Sequence, residues 1–426
     1  MNTLLLIWKT KDLRWKIFMV IVLLLCTRVL VHIPIPGINV SGLQAFFQGN
    51  QFLNLLDIFS GGGLTNFSIA MLGVGPYITA SIIMQLLTMI IPSLKELQKE
   101  SGEAGRAKIN QYTRFITVPL AVLSGFGTIR LLQSQGGAAI LGSFSPFQWF
   151  VTLLAIAAGT MLVMWIGEII SEYGIGNGLS LIIFAGIVAR LPASISSLIQ
   201  LYDPSKLPTI IAFAAAIILV IAGIVLVSEA QRNIPVSYAK RMRGDQQVGG
   251  VDSHLPMRLN QAGVIPIIFA LSLMLFPAIL AQFFLNAKST MIAHWAQLVI
   301  NFTNNQNIWY GVAYFFLVVA FTYFYTNIVV NPDDVAENMQ RSGGFVPGLR
   351  PGQQTAAYLY KVLNRITLPG SLFLGIIAIL PFVVQHWTGT KSLTLGGTGM
   401  LIVVSVVIET IKQIEAQLTM HDYKGY

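Results

Sequence analysis

Ten apolar runs, each long enough to cross a hydrocarbon core of about 30 Å, follow one another at roughly residues 17–34, 67–91, 113–132, 148–170, 178–200, 208–228, 261–285, 308–330, 366–387 and 394–414. Within lipid every backbone N–H and C=O must find a partner inside the protein, so continuous runs of this length become helices. The expected fold class is an all-α polytopic membrane protein with ten transmembrane helices. Composition agrees, since only 10% of the 426 residues are charged and the mean hydropathy is +0.70, where soluble domains carry about a quarter charged residues. The single cysteine, Cys26, lies in the first run. It excludes an intrachain disulfide and a cysteine metal site, and reads as a small core residue.

The breaks between runs carry the orientation. Lys9, Lys11, Arg14 and Lys16, then Lys95, Lys99, Arg106 and Lys108, then Arg232, Arg241, Arg243 and Arg258, then Arg341, Arg350, Lys361 and Arg365 all fall on one side of the count. From Val29 to Leu94 there is no Lys or Arg, and the opposite side is poor in cations, with Arg190, Lys206, Lys288 and Lys391 near its loop ends. The positive-inside rule makes the basic side cytoplasmic and places both termini there. Ten runs divide into five and five, and because five is odd the second half enters from the opposite face, as an inverted repeat. The expected organisation is an amphipathic segment at 1–16, a first half at 17–190, an external hinge loop at 191–207, a second half at 208–414 and a cytoplasmic tail at 415–426. Two cytoplasmic loops, 229–259 and 331–364, exceed the length of simple connectors and suggest a docking platform.

One run is interrupted. Phe52, Leu53, Asn54, Leu55, Leu56, Asp57, Ile58, Phe59 and Ser60 form a short amphipathic stretch, stopped by Gly61, Gly62 and Gly63 and followed by the apolar run to Ile91. At about 1.5 Å per residue the first piece cannot cross. Helix-breaking glycines at membrane depth are tolerated where other protein or a water-filled cavity satisfies the freed backbone, so this stretch should line something. The reading is a re-entrant half-helix, a glycine hinge and a full span, with Asp57 wetted from the outer side.

Chemistry-bearing motifs are scarce. No HExxH, GxSxG or paired-carboxylate constellation occurs, and Gly174-Ile175-Gly176-Asn177-Gly178 lacks the spacing and preceding strand of a nucleotide loop, so enzymatic chemistry is not expected. Arg28, Glu168 and Glu409 lie toward the ends of their runs, where snorkelling accounts for them. What remains is aliphatic: Val74, Ile78, Ile183, Ile268 and Ile402, in runs interrupted by Gly or Pro. Helix packing against small residues explains any one of them alone. Gln85 and Asn260, in or beside two different runs, could form an interhelical contact of about 1 kcal/mol.

Five long segments carry a resemblance: FSGGGLTNFSIAMLGVGPYITASIIMQLL, GEIISEYGIGNGLSLIIFAGIVA, HLPMRLNQAGVIPIIFA, NPDDVAENMQRSGGFVPGLRPGQQTAAYLYKVLNRITLPGS and GGTGMLIVVSVVIETIKQIEAQL. In order and over nearly the whole chain they resemble the SecY family of protein-conducting channels. The resemblance implies an hourglass of two inverted five-helix halves that passes unfolded secretory polypeptides and releases hydrophobic segments sideways into the bilayer. It implies that Phe52–Ser60 is a plug, that Gly61, Gly62 and Gly63 are its hinge, and that Val74, Ile78, Ile183, Ile268 and Ile402 form the pore ring. It further implies that Gln85 and Asn260 stand on the two walls of a lateral gate, and that Arg241, Arg243 and Arg350 dock a SecA motor ATPase or a translating ribosome.

The same resemblance implies SecE-like and SecG-like small membrane subunits, an unfolded preprotein or signal sequence as substrate, contact with membrane lipid, a bacterial plasma membrane location, and neither cofactor, metal nor direct DNA binding. One departure is the first long loop, MRGDQQVGGVDSHLP, where Asp245 and Asp252 stand among the basic residues and weaken electrostatic docking at that tip. A different class, an inverted-repeat secondary transporter of a small solute, would require polar or charged ligands at the bilayer midplane.

Overall fold

The computed structural model describes residues 10–35, 43, 57, 60–100, 102–133, 144–192, 196, 207–238, 241–243, 246–248, 253–285, 289–303, 308–388 and 397–424. In chain order the helices are α1 (Lys11–Val31), α2 (Gly75–Ile90), α3 (Pro92–Glu100), α4 (Gly102–Leu132), α5 (Pro146–Tyr173), α6 (Gly178–Val188), α7 (Leu207–Glu229), α8 (Ile265–Phe284), α9 (Thr290–Thr303), α10 (Ile308–Val329), α11 (Pro332–Arg341), α12 (Gln353–Thr388) and α13 (Gly397–Lys424). Each of the ten apolar runs carries one of them, and α3, α9 and α11 are additional. By length and composition alone four helical stretches qualify as spans, Ala104–Leu132, Pro146–Tyr173, Ile308–Arg341 and Gln353–Leu380.

The helix ends follow local chemistry. Ser145 and Gln148 close a capping box at the start of α5, with Pro146 in the first turn. Asn177 accepts from the amides of Leu179 and Ser180 to start α6. At α11, Asn331 caps a first turn holding Asp333 and Asp334, and Arg341 sits in the last turn, all three charges complementing the helix dipole. Helix α1 runs unbroken from Lys11, so no helix end marks residue 16.

The packing order recurs between the halves. Within the first, α1 meets α5 and α6, α2 meets α4, α4 meets α5, and α5 meets α6. Within the second, α7 meets α12 and α13, α8 meets α10, α10 meets α12, and α12 meets α13. First against fourth and fifth, second against third, third against fourth, and fourth against fifth recurs in both halves, and the first half adds a contact of α2 with α5. The halves touch along two seams: α6 against α13 on one side, and α8 against α2 and α4 on the other. One apolar core, with Val74, Ile183, Ile268, Leu374 and Ile402 among its buried members, runs through both halves.

Two sequence expectations change here, and a third gains a structure. The second run is not helical from residue 67, because 60–74 is a chain of tight turns and α2 starts only at Gly75. At 16 residues α2 is about 24 Å long, short of a bilayer core. Cys26 is exposed rather than in the core; it shares the outward face of α1 with Phe18, Ile21, Leu25 and Val29, where apolar surface meets lipid. The two long loops, expected to exceed simple connectors, form one folded body. Strands β1 (Gln231–Tyr238) and β4 (Ser253–Arg258) pair antiparallel, with Gln231 opposite Arg258 and Val236 opposite Ser253. Between them β2 (Arg241–Arg243) pairs with β3 (Gln246–Val248). From the other loop β5 (Gly344–Phe345) joins the free edge of β1. Ile234, Val236 and Met257 bury one face of this sheet against Ala336, Met339, Leu359 and Leu363 of α11 and α12. The period-two alternation of Ile234 and Val236 was the available signal for a half-buried strand.

Glycines permit the closest approaches. A Cβ on Gly178 would stand 1.9 Å from the carbonyl oxygen of Gly167, and one on Gly159 would stand 2.0 Å from that of Ile69, whereas one on Gly311 meets nothing within 4 Å. Gly178→Ala is therefore expected to cost about 1–3 kcal/mol through overpacking and to lower the thermal unfolding midpoint in detergent, while Gly311→Ala, inside α10 with open space around it, does not lower it and adds up to about 1 kcal/mol of helix propensity. Equal midpoints for the two variants would contradict this account of the α5–α6 contact.

Candidate functional site

The site begins with a six-residue pattern that occurs twice. Gly73-Val74-Gly75-Pro76-Tyr77-Ile78 opens α2, and Gly263-Val264-Ile265-Pro266-Ile267-Ile268 opens α8. In both copies the glycine takes a positive φ, 53° at Gly73 and 63° at Gly263, which a residue with a Cβ resists. The valine then caps the helix with nearly the same backbone angles, φ −91° and ψ 0° at Val74, φ −93° and ψ −11° at Val264, and the proline occupies the first turn. Each copy delivers an isoleucine, Ile78 or Ile268, to the centre of the molecule. This internal repeat is legible in the sequence once the two runs are aligned on their prolines, and the count of spans alone misses it.

Two cavities meet at those isoleucines. One, about 110 Å³, is lined by Ser60, Leu64, Val74, Thr79, Thr128 and Phe276 among others. The second, about 200 Å³, is lined by Tyr77, Ser81, Gln85, Asn177, Ser180 and Tyr325 among others. Ile78, Ile183 and Ile268 line both, so three branched side chains from α2, α6 and α8 form the partition between them. Val74 is 1% exposed and lines the first cavity only, and Ile402 is fully buried in the same apolar core without lining either. None of the described lining residues is Asp, Glu, Lys, Arg or His. A constriction of aliphatic groups has no hydrogen bond to offer a passing polar group and excludes water by dewetting.

Beside the first cavity lies a charged cluster that the sequence analysis did not assemble. Of the stretch 52–60 only Asp57 and Ser60 are among the described residues, so Phe52, Leu53, Asn54, Leu55, Leu56, Ile58 and Phe59 lie outside them. Asp57 is not wetted: it is fully buried and ion-paired with Arg190, which follows α6. The Thr65 amide donates to Asp57 Oδ1 at 2.8 Å, the Thr65 hydroxyl donates to Oδ2, and the Ser60 hydroxyl donates to the Asp57 carbonyl at 3.0 Å. Arg28 of α1 donates to the carbonyl of Gly61 at 2.6 Å, so snorkelling does not describe its position. Gly61 and Gly62 take positive φ, 69° and 95°, and the Gly61 Cα side faces Gly186 of α6 so closely that a Cβ would stand 3.3 Å from it. The signal available in the sequence was charge complementarity: Asp57 is the one acid between Val29 and Leu94, and Arg28 and Arg190 are cations at the edges of runs on that same side.

Gln85 and Asn260 do not bond to each other. The Asn260 amide donates to the Gly263 carbonyl at 3.2 Å, and both Gln85 Oε1 and Asn260 Oδ1 are buried with no hydrogen-bond partner among the described residues. Asn260 is used locally, in the turn that opens α8. Glu168 pairs with Arg114 at 2.9 Å, joining α4 to α5. On the body built from the two long loops Arg350 is exposed in the loop before α12, where its carbonyl accepts from the Thr355 hydroxyl at 2.9 Å. Arg241 and Arg243 lie on β2, at the tip of the long hairpin, and Asp245 and Asp252 lie outside the described residues.

The comparisons with known proteins agree with this geometry. A family model described as SecY matches residues 68–411. Protein translocase subunit SecY of Streptomyces galbus is 43% identical over 435 residues, covering 98% of each chain, and that of Mycobacterium bovis is 42% identical over 434 residues with the same coverage. Among solved structures, one described as the structure of a protein conducting channel superposes with a TM-score of 0.60 at 20% identity, covering 93% of this chain and 91% of the other. A second, described as Sec61 in the canine ribosome-channel complex, gives a TM-score of 0.56 at 19% identity, with coverage of 93% and 91%. With two cavities parted by aliphatic side chains, a packing order used twice and full-length relatives that are translocase subunits, the chain belongs to the SecY family.

Proposed function

We propose that this subunit forms the channel through which unfolded polypeptides cross the membrane, and that hydrophobic segments leave it sideways between α8 and the pair α2 and α4. The observation that carries the reading is the partition of Ile78, Ile183 and Ile268 between two cavities. A polypeptide in transit presents every kind of side chain in turn, and a specific polar site would trap some of them. Branched aliphatic groups yield to any of them and close again behind. Val74 and Ile402, from the same core, complete the ring when the partition opens. Residues 52–60 act as the plug over the first cavity, with Gly61, Gly62 and Gly63 as its hinge, and Gln85 and Asn260 stand beside the lateral opening.

The body built from β1–β5, α11 and the start of α12 is the docking platform for a SecA-type motor or a translating ribosome, through Arg350 and the hairpin tip with Arg241 and Arg243. Energy comes from that partner. Small SecE-like and SecG-like subunits hold the two halves, and the assembly sits in the bacterial plasma membrane with both termini cytoplasmic, the orientation supported by the basic breaks. The small-solute transporter finds no support: the described lining residues hold no charged ligand set, and the full-length relatives are translocase subunits.

Cysteines placed at Ile78 and at Ile402 are expected to crosslink to a precursor stalled in transit, whereas a cysteine on the lipid face, at Phe18, is not. Absence of adducts at both inner positions removes the partition from the path. Arg350→Glu is expected to depress motor-driven translocation in inverted vesicles by about tenfold or more, the scale of one lost charge-assisted contact, with insertion and thermal stability unchanged. Undiminished rates would take Arg350 out of the docking surface.

A further inference from the structure

Helix α9 stands where two core-length helices turn round. With 20 residues in α8 and 22 in α10, these helices are about 30 and 33 Å long, close to the thickness of a hydrocarbon core. The start of α8 follows β4, and the end of α10 leads into α11, so both are rooted in the body formed by the two long loops. Between their other ends lies α9, packed against both. It therefore sits at the membrane boundary opposite that body.

The helix, TMIAHWAQLVINFT, has distinct sides and contains no Asp, Glu, Lys or Arg. On its inner side Ala296 is buried and Ala293 and Ile300 are half-buried, small residues that let it close on its neighbours. An open apolar stripe is made by Met291, Trp295, Leu298 and Phe302, which follow one another at helical spacing and are 70, 60, 44 and 42% exposed. A separate polar stripe holds His294, Gln297 and Asn301, all exposed, with the Gln297 side-chain amide donating to Asn301 Oδ1 at 3.3 Å. At 3.6 residues per turn the polar stripe stands about a quarter turn from the apolar one. On the other flank of the apolar stripe Ile292 and Val299 are apolar again. Going round the helix, the order is protein, polar, apolar and apolar.

We propose that α9 is an interfacial helix bound to lipid, lying along the membrane boundary with Met291, Trp295, Leu298 and Phe302 among the acyl chains and His294, Gln297 and Asn301 at the headgroups. The apolar stripe continues a surface that already faces hydrocarbon, since Phe284 at the end of α8 and Ile308, Trp309 and Phe316 on α10 are exposed as well. Trp295 and Trp309 bring two indoles to this end of the helices, the level at which tryptophan gathers in membrane proteins. Interfacial helices that seek anionic lipid carry Lys and Arg on the polar face; α9 carries neither, and Lys288, the nearest cation in the sequence, precedes it. Its attachment comes from apolar burial, so a phosphocholine headgroup serves it as well as an anionic one.

The test uses the assembled translocase in lipid nanodiscs, where both membrane faces are open to solvent. Trp295→Cys, Phe302→Cys, Gln297→Cys and Asn301→Cys, each in a Cys26→Ser background, carry a nitrobenzoxadiazole fluorophore. In phosphatidylcholine discs the labels at 295 and 302 are expected to be reduced by dithionite about tenfold more slowly than those at 297 and 301, as for groups about 5–10 Å inside the boundary, and to be quenched by nitroxides on shallow acyl carbons. An equal mixture of phosphatidylcholine and phosphatidylglycerol is expected to leave these rates unchanged. Fast reduction at all four positions puts α9 in water and overturns the proposal. Slow reduction without nitroxide quenching means that protein covers the stripe, a small subunit or a second copy, and overturns it too. Protection that appears only with phosphatidylglycerol overturns the uncharged attachment. Met291→Cys and Leu298→Cys, on the same stripe, give the same reading should either of the first pair assemble poorly.

Discussion

Backbone satisfaction where the chain leaves the helix is the constraint on which the rest depends. Inside a bilayer an unpaired amide or carbonyl costs several kcal/mol, yet this protein runs residues 60–74 as turns in its interior. It does so by closing one short-range bond after another, such as Phe67 to Leu64, Met71 to Ser68 and Gly73 to Ala70, and by borrowing the strand-like stretch 33–35 as a second partner. Side chains reach two of the segment's carbonyls, Arg28 that of Gly61 and Ser68 that of Gly63. The helices α1, α5 and α6 surround this segment because nothing in lipid could.

That constraint explains what could and could not be read from the sequence. Ten apolar runs gave the helices and their order because hydrophobicity is a local property, summed over about 20 residues. The stop at Gly61–Gly63 was equally visible. The start of α2 at Gly75 rather than Phe67 was not, since the apolar character of 67–74 is the same for turns as for helix, and only the positive φ at Gly73 and the proline after it mark the boundary. Asp57 was read as wetted because its counter-charge comes from Arg190, more than a hundred residues away, and tertiary pairing of this kind leaves no periodic trace. Gln85 and Asn260 were read as a pair on chemistry alone, whereas the turn at Gly263 lies within reach of Asn260 and claims its amide.

The body built from β1–β5, α11 and the start of α12 shows the opposite situation, a structured unit hidden in stretches that look like loops. Its strands are short and its charges many, so no hydropathy window detects it, but the alternation at Ile234 and Val236 and the apolar stripe Ala356, Leu359, Val362, Leu363 and Ile366 on α12 make one small core. Because α12 is a single helix of 36 residues, about 54 Å long, that core and the membrane interior share one helix, with Pro369 and Gly370 between them as the place where it can bend.

Where α8 meets α2 and α4, the side-chain carbonyl oxygens of Gln85 and Asn260 find no hydrogen-bond partner among the described residues, and Ile78 and Ile268 meet in one apolar core. Parting such a seam in a bilayer exchanges side-chain methyls for acyl chains, and lipid tails are as apolar as leucine. The wall on that side is therefore thermodynamically close to transparent: a segment resting against it samples two oily phases of nearly equal standing, and its own transfer free energy decides on which side it stays.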